Sequence, residues 1–147
     1  MADSSPTSDT THLLAHVRAE AHPYCFVCSG SNPMGLALRY AVAADGSVSA
    51  TFLGNCALEG YVGLMHGGLI AALLDGAMTN CLFAHGRRGM TVELNVRYHA
   101  GVETAEDAHV RAWLEDDSPR VYQLRAELIQ AGMIRASATG KFMDQHV

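Results

Sequence analysis

One long apolar segment constrains the fold of this chain more than any other feature. Residues 68–84 are apolar on nearly every face of a helix, and the segment is longer than a normal strand. The pattern predicts a buried central helix. Gly86 follows where a C-terminal cap with positive φ is expected. His66, Gly67 and Gly68 stand where acidic residues usually begin a helix.

Most other apolar residues alternate with polar ones, as in half-buried antiparallel strands. Two such runs, 36–42 and 48–52, flank Asp45-Gly46, which favours a tight hairpin turn. Four more runs follow the helix, at residues 90–98, 108–114, 122–128 and 134–142. The order predicts an α+β fold in which one long helix covers a curved antiparallel sheet of about six strands.

The run 90–98 predicts which side chains face the core. Its apolar face, expected to be covered, consists of Met90, Val92, Leu94, Val96 and Tyr98. Its polar face, expected to be wet, consists of Thr91, Glu93, Asn95, Arg97 and His99.

Length, charge and composition narrow the function classes. The chain has 147 residues, the size of one domain, and 49% of them are hydrophobic. Ten basic residues against fifteen acidic ones give a net charge of −5, without the basic footprint of a nucleic-acid binder. No signal peptide or membrane span is apparent, so we expect a cytoplasmic protein with free thiols and no membrane partner. We expect a tail and short helix in 1–24, capped by Thr10 or Thr11, and a single domain in 25–147.

Asp75 is the only charged residue, histidines aside, between Gly60 and Gly86, and it falls in the middle of the predicted helix. Burial disfavours the ionised form of a carboxyl, so this group must be hydrogen-bonded or face a cavity or an interface. That environment suits a general base, and it equally suits a structural aspartate satisfied by its neighbours. Thr79, one turn later on the same face, fits either interpretation.

The glycines before the helix suggest a binding site for a developing negative charge. A helix N-terminus exposes backbone N–H groups and carries a partial positive charge, which together favour an oxyanion. The alternative is that Gly67 and Gly68 only permit a tight turn into the helix, and that His66 packs or caps it.

Cys25 and Cys28, with His22 upstream, could begin a metal site, because Cys-x-x-Cys brings two thiolates to one ion. A zinc site has about four ligands, and no second ligand pair is visible in the sequence. The segment is therefore interpreted as a structural loop with small buried thiols, and no metal is expected.

Three segments together resemble a known family: EGYVGLMHGGLIAALLDGAMTNCL, the TVELNVRYHAGV that follows it, and the CFVCSGSNPMGLALRY that precedes it. They resemble the hotdog-fold acyl-CoA thioesterases of the phenylacetate-degradation (PaaI-like) group, over residues 25–143. The most specific feature is His-Gly-Gly with an acid nine positions after the histidine. The resemblance implies a six-stranded sheet wrapped around the helix. It also implies two chains paired side by side, in a homodimer or homotetramer, with active sites at the dimer interface.

The resemblance further implies roles for individual residues. In such enzymes the Gly67 N–H, next to His66, would polarise the thioester carbonyl of an acyl-CoA. The partner's Asp75 would activate water or attack directly, and Thr79 would position the water or the acyl group. The substrate would be a small, medium or aromatic acyl-CoA, with no cofactor beyond the coenzyme A of the substrate itself.

Candidate binding residues follow from the same resemblance and from position. The acyl pocket is expected to be apolar and lined partly by the helix, which nominates Gly68, Leu64, Met65, Met78 and Leu82. The phosphates of coenzyme A would contact arginines that could equally be ordinary surface residues, namely Arg87, Arg88 and Arg97.

Two positions depart from the family pattern. Relatives often carry a side-chain amide six residues before the histidine, where this chain has Gly60, and many place Glu after the acid, where this chain has Gly76. The missing amide leaves open a second hypothesis, a non-catalytic hotdog module that binds acyl-CoA or a related apolar ligand. Hydratase chemistry fits less well, because that branch usually relies on an Asp-His pair in a different local pattern.

Overall fold

The computed structural model describes residues 6–145, which form two α-helices and one sheet of six strands. The elements follow in the order α1 (Pro6–Ala21), β1 (Ala41–Val42), β2 (Val48–Phe52), a 3₁₀ turn (Cys56–Leu58), α2 (Gly67–Ala84), β3 (Gly89–Tyr98), β4 (Ala108–Ser118), β5 (Val121–Gln130) and β6 (Met133–Asp144). The strands are antiparallel and lie in the order β1-β2-β4-β5-β6-β3. The predicted α+β architecture, a sheet around one central helix, is confirmed.

Helix α2 is the centre of the core. It packs against every strand from β2 to β6, and its wholly buried residues include Leu73, Leu74, Ala77, Met78, Cys81 and Leu82. Its 18 residues have a mean hydropathy of 1.4, enough by length and composition to cross a membrane, but 61% of them are buried inside the protein, as in a core helix. The helix ends as the sequence predicts, with Gly86 at φ 68° just beyond it.

Helix α1 is longer than the sequence predicts. It begins at Pro6, so Thr10 and Thr11 lie inside the helix and the predicted N-cap at either of them is wrong. Proline is favoured in the first turn, where its missing N–H is not needed and its fixed φ is already helical. Leu14 and Val17 are buried in the main core, so α1 packs as part of the folded domain.

The predicted hairpin forms at its turn but is shorter on its first side. Val42 pairs with Val48 across Gly46, which has a φ of 83°. Residues 36–40 are not a strand. Ala37 has a φ of 50°, and the neighbouring Leu36 N–H instead donates to the carbonyl of Phe26. This segment therefore pairs with the cysteine-containing loop rather than with the sheet.

Strand β3 contains a β-bulge that the sequence did not reveal. Thr91 pairs with Phe142, and the next pair joins Glu93 to Lys141, so Val92 is the inserted residue. Phe142 is wholly buried on the face of the sheet that α2 covers. Because paired residues share a face, the bulge points Thr91 toward the helix.

The prediction for the first part of β3 is therefore wrong. Met90 and Val92, expected on the covered face, are 60% and 54% exposed, and Thr91 takes the inward position. One extra residue reverses the alternation, because the side-chain period of a strand is two. Beyond the bulge the prediction holds for Leu94 and Val96, which are half-buried, but Tyr98, on the same face, is 52% exposed.

Candidate active site

The N-terminus of α2 is capped by His66. The His66 Nδ1 atom accepts a hydrogen bond from the Gly68 N–H at 2.9 Å, and the His66 carbonyl accepts from the N–H groups of Leu69 and Ile70. Nδ1 must be unprotonated to accept this bond, so any proton on a neutral ring lies on Nε2. His66 thus accepts hydrogen bonds from the backbone N–H groups that follow Gly67, but not from the N–H of Gly67 itself.

The Gly67 N–H is the open donor of this helix start. Among the described residues, no acceptor lies within hydrogen-bond distance of it. The opposite end of the same residue is fixed, because the Tyr98 hydroxyl donates to the Gly67 carbonyl at 2.7 Å. The free N–H therefore combines a fixed orientation with the positive end of the helix dipole, as an oxyanion site requires.

A small pocket borders this donor. Its volume is about 360 Å³, and its lining residues are Gly60, Tyr61, Met65, His66 and Gly67. A Cβ atom at Gly60 would lie 3.2 Å from the His66 Cα and 3.4 Å from its Cδ2. Any side chain at this position would therefore crowd His66, which favours glycine there.

Asp75 lies half-buried in the middle of α2, next to strand β3. The Thr91 hydroxyl donates a hydrogen bond to its Oδ1 atom at 2.7 Å. Burial raises the pKa of Asp75, and the Thr91 hydrogen bond opposes that rise. Two nearby groups contribute less: Cys25 raises the pKa and His22 lowers it. A carboxylate with a raised pKa, held by one donor and open to the edge of the sheet, suits proton abstraction from water.

Thr91 and Tyr98 are the contacts that the sequence did not predict. Alternation placed Thr91 on the wet face, and only the bulge at Val92 turns it toward Asp75. Tyr98 was assigned to the covered face as an apolar residue, without a role for its hydroxyl. No local sequence signal marks either contact, because each one joins α2 to a strand that follows it in the chain.

Thr79 lies one turn after Asp75 but has a local partner. Its hydroxyl donates to the Asp75 carbonyl at 3.0 Å, and the residue is buried. Its proton is therefore used by the helix backbone, and only the oxygen lone pairs remain for a water molecule or an acyl group.

The candidate acyl-pocket residues divide into two groups. Met65 lines the pocket beside Gly67, Gly68 is exposed at the helix start, and Leu64 is partly exposed next to Gly101. Met78 and Leu82 are wholly buried in the main core.

The three candidate arginines lie away from the helix start. Arg87 forms an ion pair with Asp117 at 3.1 Å, and Arg88 pairs with Glu20. Arg97 has no carboxylate partner within the described residues and lines a pocket of about 540 Å³ on the outer face of the sheet.

The open donor and the carboxylate cannot act on the same carbonyl within one chain. Asp75 follows Gly67 by eight residues on one continuous helix. At 1.5 Å per residue the two groups are about 12 Å apart along the axis, and they are rotated by about 80° around it. An attacking water and the oxygen of the carbonyl that it attacks lie only about 3 Å apart, so one chain does not bring these two groups to the same carbonyl.

Strand β3 presents an exposed edge next to both groups. It is an edge strand with an unpaired row of backbone donors and acceptors. Apolar side chains are exposed along it and in the loop before α2, namely Met90, Val92, Tyr98, Tyr61 and Val62. An exposed edge bordered by apolar residues is typical of an interaction surface.

Comparison with known proteins identifies the family. The model of the thioesterase superfamily matches residues 62–136, which contain His66, Gly67, Asp75 and Thr91. No curated protein sequence matches the chain significantly.

Solved structures show the same fold. A thioesterase superfamily protein is 26% identical with a TM-score of 0.78; the match covers 82% of this chain but only 63% of that one. A putative thioesterase from Ralstonia eutropha, described as related to phenylacetic acid degradation, is 26% identical with a TM-score of 0.67, covering 74% and 85% of the two chains. A hypothetical thioesterase from Streptococcus pneumoniae, solved with coenzyme A, is 17% identical with a TM-score of 0.69, covering 74% and 88%.

The predicted resemblance to the PaaI-like hotdog proteins is thereby confirmed at the level of fold and family. The family match spans half of the chain and includes the whole of α2, which carries both candidate groups. This protein has the hotdog fold and belongs to the thioesterase superfamily.

Proposed function

We propose that this protein is an acyl-CoA thioesterase whose active site is completed by a second copy of the chain. The observation that carries the proposal is the separation, along one rigid helix, of the free Gly67 N–H from the Asp75 carboxylate. Both groups suit thioester hydrolysis. Within one chain, however, a carbonyl oxygen bound by Gly67 and a water activated by Asp75 would be too far apart to react. A dimer that brings Gly67 of one chain to the partner's Asp75 removes this obstacle.

The edge strand suggests how the two chains would pair. If two β3 edges pair antiparallel about a two-fold axis at Asn95, the extra residue of the bulge places Thr91 across from the partner's Tyr98. Thr91 binds the Asp75 carboxylate and Tyr98 binds the Gly67 carbonyl. Such a register would therefore bring each acid to the partner's open N–H, and it would bury the exposed apolar residues of β3. A homotetramer would be a pair of these dimers.

The chemistry then follows in two steps. The thioester carbonyl oxygen accepts a hydrogen bond from the Gly67 N–H. This bond stabilises the negative charge that develops on the oxygen as the carbonyl is attacked. Asp75 takes a proton from water while the oxygen of that water bonds to the carbonyl carbon. The tetrahedral intermediate then breaks its carbon–sulfur bond, the proton passes from Asp75 to the leaving thiolate, and the products are the free acid and coenzyme A. No cofactor or metal takes part in these steps.

The proposed substrate class rests on the family and on the pocket. The Streptococcus pneumoniae neighbour was solved with coenzyme A, which supports a coenzyme A thioester here. The pocket beside Gly67, with Met65 in its wall, suits a small, medium or aromatic acyl group. Among the candidate arginines, Arg97 could bind a phosphate without giving up a carboxylate, whereas Arg87 and Arg88 would have to exchange Asp117 and Glu20 for it.

The activity is tested by thiol release from short-chain, long-chain and aromatic acyl-CoAs, with wild type and Asp75→Asn run in parallel. We expect release by the wild type and its collapse in the variant. No release from any substrate, together with thermal stabilisation by coenzyme A esters, would instead identify a binding module, for which the lack of a side-chain amide at Gly60 is the supporting observation.

The shared site is tested by complementation between two inactive variants. Gly67→Pro removes the N–H, and Asp75→Asn removes the base. When the two chains are mixed and allowed to exchange, each hybrid dimer contains one site built from an intact Gly67 and an intact Asp75. We expect recovery to about a quarter of wild-type activity, since half of the dimers are hybrids and half of their sites are intact. Sites formed within one chain would give no recovery.

A further inference from the structure

We propose that His22, Cys25 and Cys28 form a zinc site within the loop that follows α1 and packs against the middle of α2. The donor atoms of these three residues all lie within 4.8 Å of one another. Two thiolates and an imidazole are ligands that Zn²⁺ prefers, and two thiolates balance its charge. This inference does not depend on the thioesterase proposal.

The geometry fits a tetrahedral ion. The Cys28 Sγ and the His22 Nδ1 are 3.7 Å apart. A tetrahedral zinc with bonds of 2.3 Å to sulfur and 2.0–2.1 Å to nitrogen separates two such ligands by about 3.6 Å. The Val27 N–H donates to the Cys25 Sγ at 3.3 Å, a backbone contact that stabilises a thiolate and orients it.

Polar groups beside the cluster lack partners. The Asn80 Oδ1 and Tyr40 Oη atoms are buried without a hydrogen-bond partner among the described residues. Both lie close to the cysteine loop: Tyr40 and Cys28 line the same pocket, and the Asn80 amide donates to the carbonyl of Gly76, the glycine on which Val27 packs. Unpaired buried oxygens are costly. A water molecule in the fourth coordination position of zinc would give these oxygens a donor.

The site lies in a closely packed junction. His22 directly follows α1, and its ring makes an edge-to-face contact with Phe83 of α2, with ring centroids 4.9 Å apart. Val27, between the two cysteines, packs so closely on Gly76 that a Cβ atom there would lie 2.6 Å from its Cγ1. A zinc ion here would hold together the loop that packs on α2 next to Asp75.

The sequence argued against a metal because it shows no second pair of ligands. The structure changes that balance by folding His22 back onto the cysteine pair. It also places Asn80 of α2 and Tyr40, which follows the loop, close to the cysteine pair. Both residues are too far from the cysteines in the chain to form a recognisable motif with them.

The first experiment measures metal content. The protein is reduced, loaded with Zn²⁺ and dialysed without chelator. Its zinc content is then measured by elemental mass spectrometry. We expect one zinc per chain in the wild type and its loss in Cys28→Ser and His22→Gln. Cys56→Ser is the matched control, because Cys56 is an exposed free cysteine outside the cluster, and it should retain the metal. A metal-free wild type, or equal zinc in Cys28→Ser, would overturn the proposal.

The second experiment identifies the ligands without relying on zinc content. Co²⁺ added to the reduced protein should produce thiolate-to-cobalt absorption in the near ultraviolet and visible bands typical of a tetrahedral site. Cys56→Ser should give the same spectrum and Cys25→Ser should lose the charge-transfer bands. A wild-type spectrum unchanged by Cys25→Ser would contradict the assignment. If Cys25 and Cys28 are found as a disulfide, and the protein still binds no cobalt after reduction, the assignment is also contradicted.

Discussion

The start and the middle of α2 each present a candidate group, and different kinds of contact surround the two. At the start, the proposed group is a backbone N–H, and residues close in sequence shape its surroundings: His66 caps the helix and Gly60 lines the pocket beside it. In the middle, the proposed group is the Asp75 side chain, and residues distant in sequence hold it, above all Thr91. A helix start is a donor by its geometry alone, whereas a half-buried acid depends on tertiary contacts.

The largest effect is expected from Asp75→Asn. The amide cannot accept a proton from water, so turnover of an acyl-CoA should fall by about 10²- to 10⁴-fold. Thiol release under saturating substrate measures this loss. A variant that keeps more than a tenth of wild-type turnover would show that the middle of α2 does not carry the base.

The same variant should keep its fold, and the pKa of Asp75 explains why. Burial raises that pKa above the ordinary value of 3.8, so between the two values the folded state binds more protons than the unfolded one. Stability therefore falls as pH rises through this window, and the cost of the buried charge is fully present at neutral pH. Asp75→Asn lacks this cost and can still accept from Thr91, so its midpoint of thermal unfolding at neutral pH should equal or exceed that of the wild type. A lower midpoint would contradict this account.

The next effect is expected from Gly67→Pro, which removes only the backbone donor at the helix start. Proline is favoured at the first helical position, and His66 already has the extended φ of −59° and ψ of 132° that a residue before proline adopts. Activity should fall by about 10²- to 10³-fold with little change in thermal stability. Gly67→Ala is the matched control, because it keeps the N–H and its Cβ would meet Tyr98 at an ordinary 3.6 Å. Equal losses in both variants would indicate steric damage, not loss of a donor.

A smaller effect is expected from Thr91→Val. The Thr91 hydrogen bond holds the pKa of Asp75 down against burial, so its removal raises that pKa further. We expect turnover to fall about 10-fold and the acidic limb of the pH–rate profile to move to higher pH, because Asp75 must be ionised to act as a base. Thr91→Ser keeps the hydroxyl and should keep the wild-type profile. An unshifted limb in Thr91→Val would mean that Thr91 does not tune the acid.

The limits of sequence reasoning follow the same division of α2. The start of the helix was predicted almost to the residue, because capping and glycine preferences act within a few positions along the chain. The buried aspartate was also predicted, since one acid in an apolar helix is visible in any sequence. Its partner Thr91 was not, because a one-residue bulge reverses the facing of a strand and leaves no local signature. The strand predicted over residues 36–40 failed for a similar reason, since its backbone pairs with the distant cysteine loop.

The smallest effect, on stability rather than activity, concerns the close packing in the middle of α2. Gly76→Ala places a Cβ atom 2.6 Å from Val27 Cγ1, and valine is too stiff to rotate away. The clash costs about 1–3 kcal/mol and alanine returns about 1 kcal/mol of helix propensity, so a net loss of about 1 kcal/mol is expected in urea unfolding. In a Val27→Ala background the 2.6 Å contact is removed and the nearest remaining contact is the Cβ atom at 3.2 Å, so the same substitution should cost clearly less. A smaller cost in that background would show that glycine at 76 serves the loop beside Asp75, and an unchanged cost would assign it to the helix alone.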